Sequence, residues 1–144
     1  MGDIRLAVDI DSAPEELFKA VSTQEGLASF WTPDVSADPT VGSEAQFGFT
    51  AAPVKLRMRV KDLDENKAVR WECLGDFPHW GGSRVDWELT AVEDGAKTRV
   101  LFRHLGLAEG QPEPEFASIA YTWAQVLRAL KDYAESGKPA PALK

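Results

Sequence analysis

The feature that most constrains this chain is a change of hydrophobic period near residue 115. Between residues 44 and 107, apolar and polar side chains alternate in five successive runs: EAQFGFT (44–50), VKLRMRVKDL (54–63), KAVRWECLG (67–75), SRVDWELTAV (83–92) and TRVLFRHLGL (98–107). Alternation sends one face of each strand into a core and the other into water. From Glu115 to Glu135 the repeat becomes helical. Phe116, Ile119, Trp123, Val126, Leu127, Leu130 and Ala134 then fall on one broad face. A sheet with one apolar face must be covered, and this helix is the only element long enough to cross it.

Three elements precede the runs. IRLAVDI (4–10) alternates and reads as a first strand. Ser12, with Glu15 three residues on and Pro14 in the first turn, forms a capping-box signature for a short helix. A second short helix is expected over QEGLASFW (24–31), against the poor helix propensity of Gly26. Residues 32–43 hold two prolines and a glycine and read as loop, EDGAK as a hairpin turn, and AEGQPEP (108–114) as the break before the helix. Gly137 should stop the helix and leave residues 138–144 as a loose tail. The expected fold class is α+β. A curved antiparallel six-stranded sheet wraps around a long C-terminal helix, with two short helices after strand 1. One domain spans residues 1–137. Such a sheet curves more than the helix, so a space between them is expected to take a ligand.

Charge and cysteine usage narrow the partners. Sixteen Lys+Arg against 23 Asp+Glu give a net charge of −7, which disfavours nucleic acid and anionic membrane surfaces. A lone cysteine, Cys73, rules out an internal disulfide and fits a reducing compartment. MGDIRLAVDID lacks the apolar core of a signal peptide, and no run approaches the ~18 apolar residues of a membrane span. A cytoplasmic protein is expected.

Catalytic and metal chemistry find little support in the residues. No CxxC, HxH or HExxH spacing occurs, so neither a metal nor a cofactor is expected. Cys73 shares a strand face with Trp71, and burial among aromatics raises a thiol's pKa and makes it inert. Asp86, Glu88, Arg99 and Arg103 carry the outward parity of their strands and read as cross-strand ion pairs on a solvated face. The aromatic residues stand out instead. Trp71, Trp87, Phe102, Phe47, Phe49, Met58 and Trp123 should converge between sheet and helix, together with His104 as a polar handle on the inward face. His104 would bond a ligand or a neighbour such as Tyr121. Trp31, His79 and Trp80 fall in segments that would flank one open end.

The order of these elements, with SAPEELFKAVSTQEGLASFW, VDWELTAVEDGAKTRVLFRHLGL and YTWAQVLRALKDYAESGKP, resembles the SRPBCC (START/Bet-v-1-like) superfamily. Within it the chain is most similar to bacterial proteins grouped with the activator of heat-shock protein 90 ATPase, from residue 3 to about 139. The resemblance implies a helix-grip fold around an apolar cavity. Members of the wider superfamily bind lipids, sterols, polyketides and plant hormones, and a minority are enzymes; the function expected here is non-catalytic binding of a small hydrophobic molecule, a lipid or an aromatic natural product. Apolar contact would come from Trp71, Trp87, Phe102, Trp123, Phe47, Phe49 and Met58, with orientation by His104 and Tyr121. Two other functions fit the resemblance: a polyketide cyclase or dehydratase with His104 as acid or base, and a protein-interaction or co-chaperone-like module. A second copy of the chain is a candidate partner.

Overall fold

The computed structural model describes residues 2–107 and 109–144. Ala108, inside the expected break, and Met1 lie outside the described residues. Strand β1 (Gly2–Ile10) leads to helices α1 (Pro14–Ser22) and α2 (Gln24–Phe30). Strands β2 (Asp34–Ser36), β3 (Glu44–Gly48), β4 (Leu56–Asp64), β5 (Ala68–Cys73), β6 (Arg84–Val92) and β7 (Lys97–Leu107) follow, and then helix α3 (Glu113–Ser136). The strands form one antiparallel sheet in the order β1-β7-β6-β5-β4-β3-β2. This is the helix-grip arrangement.

The sheet has seven strands rather than six. The extra one, β2, lies inside the segment expected to be loop, and its three residues pair with Gln46, Phe47 and Gly48. Helix α1 begins one residue later than the capping box implies. Its N-cap is Ala13, without a side-chain cap bond, and Pro14 occupies the first turn. The cap is found on α2 instead, where Thr23 Oγ1 accepts from the Gly26 N–H at 3.1 Å.

The core sits between the concave sheet face and the helices. Register places Trp87 opposite both Phe102 and Val69, and Trp71 opposite Val85. All five tryptophans join one ring network. Trp31 meets Phe47 at 4.3 Å, Trp71 at 6.1 Å and Trp123 at 5.1 Å, while Trp123 meets Phe102 at 4.5 Å and Trp80 at 6.2 Å. The opposite face carries ion pairs, including Arg99–Asp9, Arg103–Glu88, Arg70–Asp62 and Arg57–Asp76. Asp86 departs from its expected exposure. It is 5% exposed. Arg70 and Arg103 stand opposite it on the flanking strands, and Arg84 pairs with it at 3.5 Å. Long arginine stems cover short carboxylates in this way.

The tail is not loose. The N–H groups of Ala140, Ala142 and Leu143 donate to the carbonyls of Ser29, Phe30 and Trp31, each at 2.9 Å, and the Thr50 N–H donates to the Lys144 carbonyl. The end of α2 leaves carbonyls without helical partners, and the tail supplies the missing donors. Gly137 turns the chain out of α3 in the left-handed region (φ 75°). Among the described residues no helix is long and apolar enough to cross a membrane.

Candidate functional site

A pocket of about 800 Å³ opens between α3, the 76–82 loop, the segment after β3 and the C-terminal tail. Helix α3 contributes one face in two rows. Ile119, Trp123 and Val126 lie in one, and Glu115, Ser118 and Thr122 in the other. Spacings of three and four residues put each row on one side of a helix. Trp31, Phe49 and Leu56 come from the end of α2 and from the strands, and Phe77, Pro78, His79 and Trp80 from the loop. Ala142, Leu143 and Lys144 complete the wall. Five aromatic side chains (Trp31, Phe49, Phe77, Trp80 and Trp123) therefore line one concavity.

The loop that forms one lip is built to hold its rings in place. Gly75 and Gly81 approach so closely that a Cβ on Gly81 would lie 3.0 Å from the Gly75 Cα. Just beyond this neck, Asp76 accepts from Arg57 Nε at 2.8 Å and from the Arg57 N–H at 3.2 Å. Between these points Phe77 packs on Phe49 at 6.3 Å and on Trp80 at 5.3 Å. His79 holds a positive φ of 71°, a conformation that costs a non-glycine residue energy and often marks functional loops.

The expected contact residues separate into two sets. Trp123, Phe49, Trp31, His79 and Trp80 line the pocket. Trp71, Trp87, Phe102, Phe47 and Met58 are buried behind it in the sheet-facing core and are not among its lining residues. Tyr121 points the other way and is 68% exposed. Two residues from both Ile119 and Trp123, it sits about 200° around the helix from each. It therefore does not line this pocket, and the hydrogen bonds of His104 go to other residues.

His104 is 0% exposed and fully occupied inside the protein. The Trp123 indole N–H can only donate, and it donates to Nδ1 at 3.1 Å. Ser83 Oγ gives its single proton to the Trp80 carbonyl at 2.6 Å, so at its 2.9 Å contact with Nε2 it must accept. These bonds fix the neutral Nε2–H tautomer. Burial without a nearby carboxylate pushes the imidazole pKa down to about 4. The Ser83–His104 pair thus resembles a catalytic dyad but has its proton on the wrong atom, because Nε2 already carries the hydrogen it would have to take from the hydroxyl. Cys73 Sγ lies 3.9 Å from the same nitrogen, and burial lifts its pKa to about 11. Among the described residues no group of three or more His, Cys, Asp or Glu side chains is placed to hold a metal ion.

Sequence reasoning missed the residues 50–52, Gln111 and the tail as pocket walls. Ser118 and Thr122 had a legible signal, since they border the apolar stripe of α3 at helical spacing.

A family model described as "Activator of Hsp90 ATPase homolog 1-like protein" matches residues 11–135. The solution structure of the Aha1 dimer from Colwellia psychrerythraea is 33% identical, covers 96% of this chain and 99% of that one, and superposes with a TM-score of 0.84. The protein SSP2350 from Staphylococcus saprophyticus is 20% identical, with 99% and 100% of the two chains covered and a TM-score of 0.77. DynU16, from the dynemicin biosynthetic locus, is 24% identical over 99% of this chain and 49% of that one, also at a TM-score of 0.77. No curated protein matches the sequence.

Proposed function

The chain belongs to the Activator of Hsp90 ATPase homolog 1-like family, and from that premise we propose that it binds a small, largely apolar molecule in the pocket without transforming it. The observation that carries this reading is the convergence of five aromatic side chains on an open concavity of about 800 Å³. Space of that size is ample for a ligand of several fused rings or a folded acyl chain. Burial of its apolar area would contribute about 25 cal/mol per Å² before ordering costs. The outer row of Glu115, Ser118 and Thr122 would meet the ligand's polar end.

An enzymatic role through His104 is disfavoured. Its two nitrogens are both bonded within the fold, and Trp80 and Trp123 pack against its ring at 4.5 and 5.9 Å. A reacting group would have to displace a tryptophan and reverse the tautomer. A second property is favoured by a specific relative. The 33% identical Colwellia protein is a dimer, which supports self-association of this chain as well.

Ligand-observed NMR and thermal-shift screening against fatty acids, sterols and flavonoid-like aromatics tests the binding reading. Saturable binding by one class, lost when Ser118→Trp fills the mouth, supports it. An absence of binding across all three classes, with the protein folded, refutes it.

A further inference from the structure

The two edges of the sheet are unequal. At one end β2 offers three residues. At the other, β1 presents nine, Gly2–Ile10, with β7 on one side only. A long edge strand is a template for another strand unless something blunts it.

Residues that alternate along β1 turn their backbone groups away from β7. The Asp9 carbonyl is one of these, since it accepts from Lys131 Nζ at 3.1 Å on the open side. By parity Ala7 and Arg5 also face outward, and the register with β7 is unbroken from Ile4 to Ile10. The middle of this strand is also its least covered part. Ile4 and Ile10 are buried, whereas Leu6 and Val8 between them are only half-buried, and Arg5, Ala7 and Asp9 are exposed.

These features have a self-complementary solution. The geometry points to a second copy of this chain as the partner of β1, with the two strands antiparallel about a two-fold axis at Ala7. This placement rests on the self-association proposed above and is independent of what the pocket binds. About that axis Ala7 faces Ala7 of the second copy, and Arg5 faces Asp9. All three residues turn outward, so the pairs exchange about six backbone hydrogen bonds in the close-pair pattern. Arg5 and Asp9 lie on the same face and carry opposite charges, and the contact occurs twice. On the concave face Leu6 meets Val8, which covers the two half-buried side chains. At the ends Asp3 would face Asp11. Each already has a cation nearby, Arg5 at 3.6 Å for Asp3 and Lys97 at 3.5 Å for Asp11. Lys131 must release the Asp9 carbonyl, keeping Glu135 as its partner, and the Asp11 N–H on the same side already donates to Glu135 at 2.9 Å, so the exchanged backbone bonds end at Asp9. The two sheets would then run on as one. The axis at Ala7 is the one that sets Leu6 against Val8 and Arg5 against Asp9 together. Pairing about Leu6 instead sets Asp3 against Asp9.

Two variants test the placement. Ala7→Pro removes an N–H that the β1–β7 ladder does not use, and proline is tolerated on an open edge. Ala7→Cys puts two thiols within disulfide reach only if the axis passes through residue 7. The native Cys73 is buried and does not interfere. We expect light scattering of the wild type to give twice the 15.8 kDa chain mass. We expect Ala7→Pro to halve that mass with an unchanged far-ultraviolet spectrum. Mild oxidation should cross-link Ala7→Cys but not Lys19→Cys. A monomeric wild type overturns both the self-association and its placement. A dimer that persists in folded Ala7→Pro, or one whose Ala7→Cys form does not cross-link, overturns the placement alone. If Ala7→Pro does not fold, the cross-link decides.

Discussion

Acid should weaken this protein through His104. In the native state the imidazole is held neutral, with a pKa of about 4 against 6.5 for the free side chain. Above pH 6.5 neither folded nor unfolded chain is protonated there, and the full stability is present. As pH falls below 6.5 the unfolded chain takes up the proton first, so stability declines until the folded state follows near pH 4. At about 1.4 kcal/mol per pKa unit, the full loss is about 3 kcal/mol, of which about 2 kcal/mol falls between pH 7 and pH 5. The physical origin is specific. A proton on Nδ1 would face the Trp123 N–H across 3.1 Å, leaving two donors and no acceptor in a dry site. The assay is urea unfolding followed by tryptophan fluorescence at half-unit pH steps. It is run in a His79→Gln background so that His104 is the sole imidazole. A further His104→Gln change keeps an acceptor for Trp123 and a donor for Ser83 but does not titrate, so its stability should be nearly flat between pH 7 and pH 5. If the His104 ring signals titrate with a midpoint near 6.5, or if the two proteins share one pH profile, the network as described is wrong.

Other consequences follow from single contacts. Gly26→Ala should cost about 1–3 kcal/mol in chemical denaturation, the usual range for overpacking, because the new Cβ would collide with the backbone of Ala20 where α1 and α2 cross. Ending the chain after Gly137 removes three donors from the last carbonyls of α2. At about 0.5–1.5 kcal/mol per bond it should lower the unfolding midpoint. In the intact chain the amides of Ala140, Ala142 and Leu143 should exchange slowly with deuterium. Cys73 should ignore a thiol reagent in the folded protein and react at once in denaturant, since burial raises its pKa to about 11.

Much of the architecture was legible because alternation and helical spacing are properties of the chain itself. The inward faces of β4 to β7 and the apolar stripe of α3 could be read residue by residue. What escaped depends on partners distant in sequence. Strand β2 has three residues between Pro33 and Pro39, too few to show a period, and exists because β3 lies beside it. The tail carries Pro139 and Pro141 and reads as loose, yet its amides meet carbonyls more than a hundred residues earlier. Gly26 argued against a helix by propensity, whereas its lack of a side chain is what lets that helix touch α1. His104 was correctly placed on the inward face, but its partners were set by register and by Ser83 at the mouth of β6. A single chain pattern could not distinguish a ligand handle from a closed internal network. For the same reason the aromatics Trp71, Trp87 and Phe102 could not be told apart from Trp123, whereas Trp31 and Trp80 were read separately, as flanking an open end, and both line the pocket. Trp71, Trp87, Phe102 and Trp123 all face inward, and only the depth of the pocket separates the last from the other three.

That division offers the most direct test of the central claim. The five indole N–H signals of a nitrogen-labelled sample can be followed while a binding ligand from the screen is titrated in. Ligand in the pocket should shift Trp31, Trp80 and Trp123 together, saturably, and leave Trp71 and Trp87 nearly still. Uniform shifts across all five, or shifts confined to Trp71 and Trp87, would contradict a pocket between α3, the 76–82 loop and the tail.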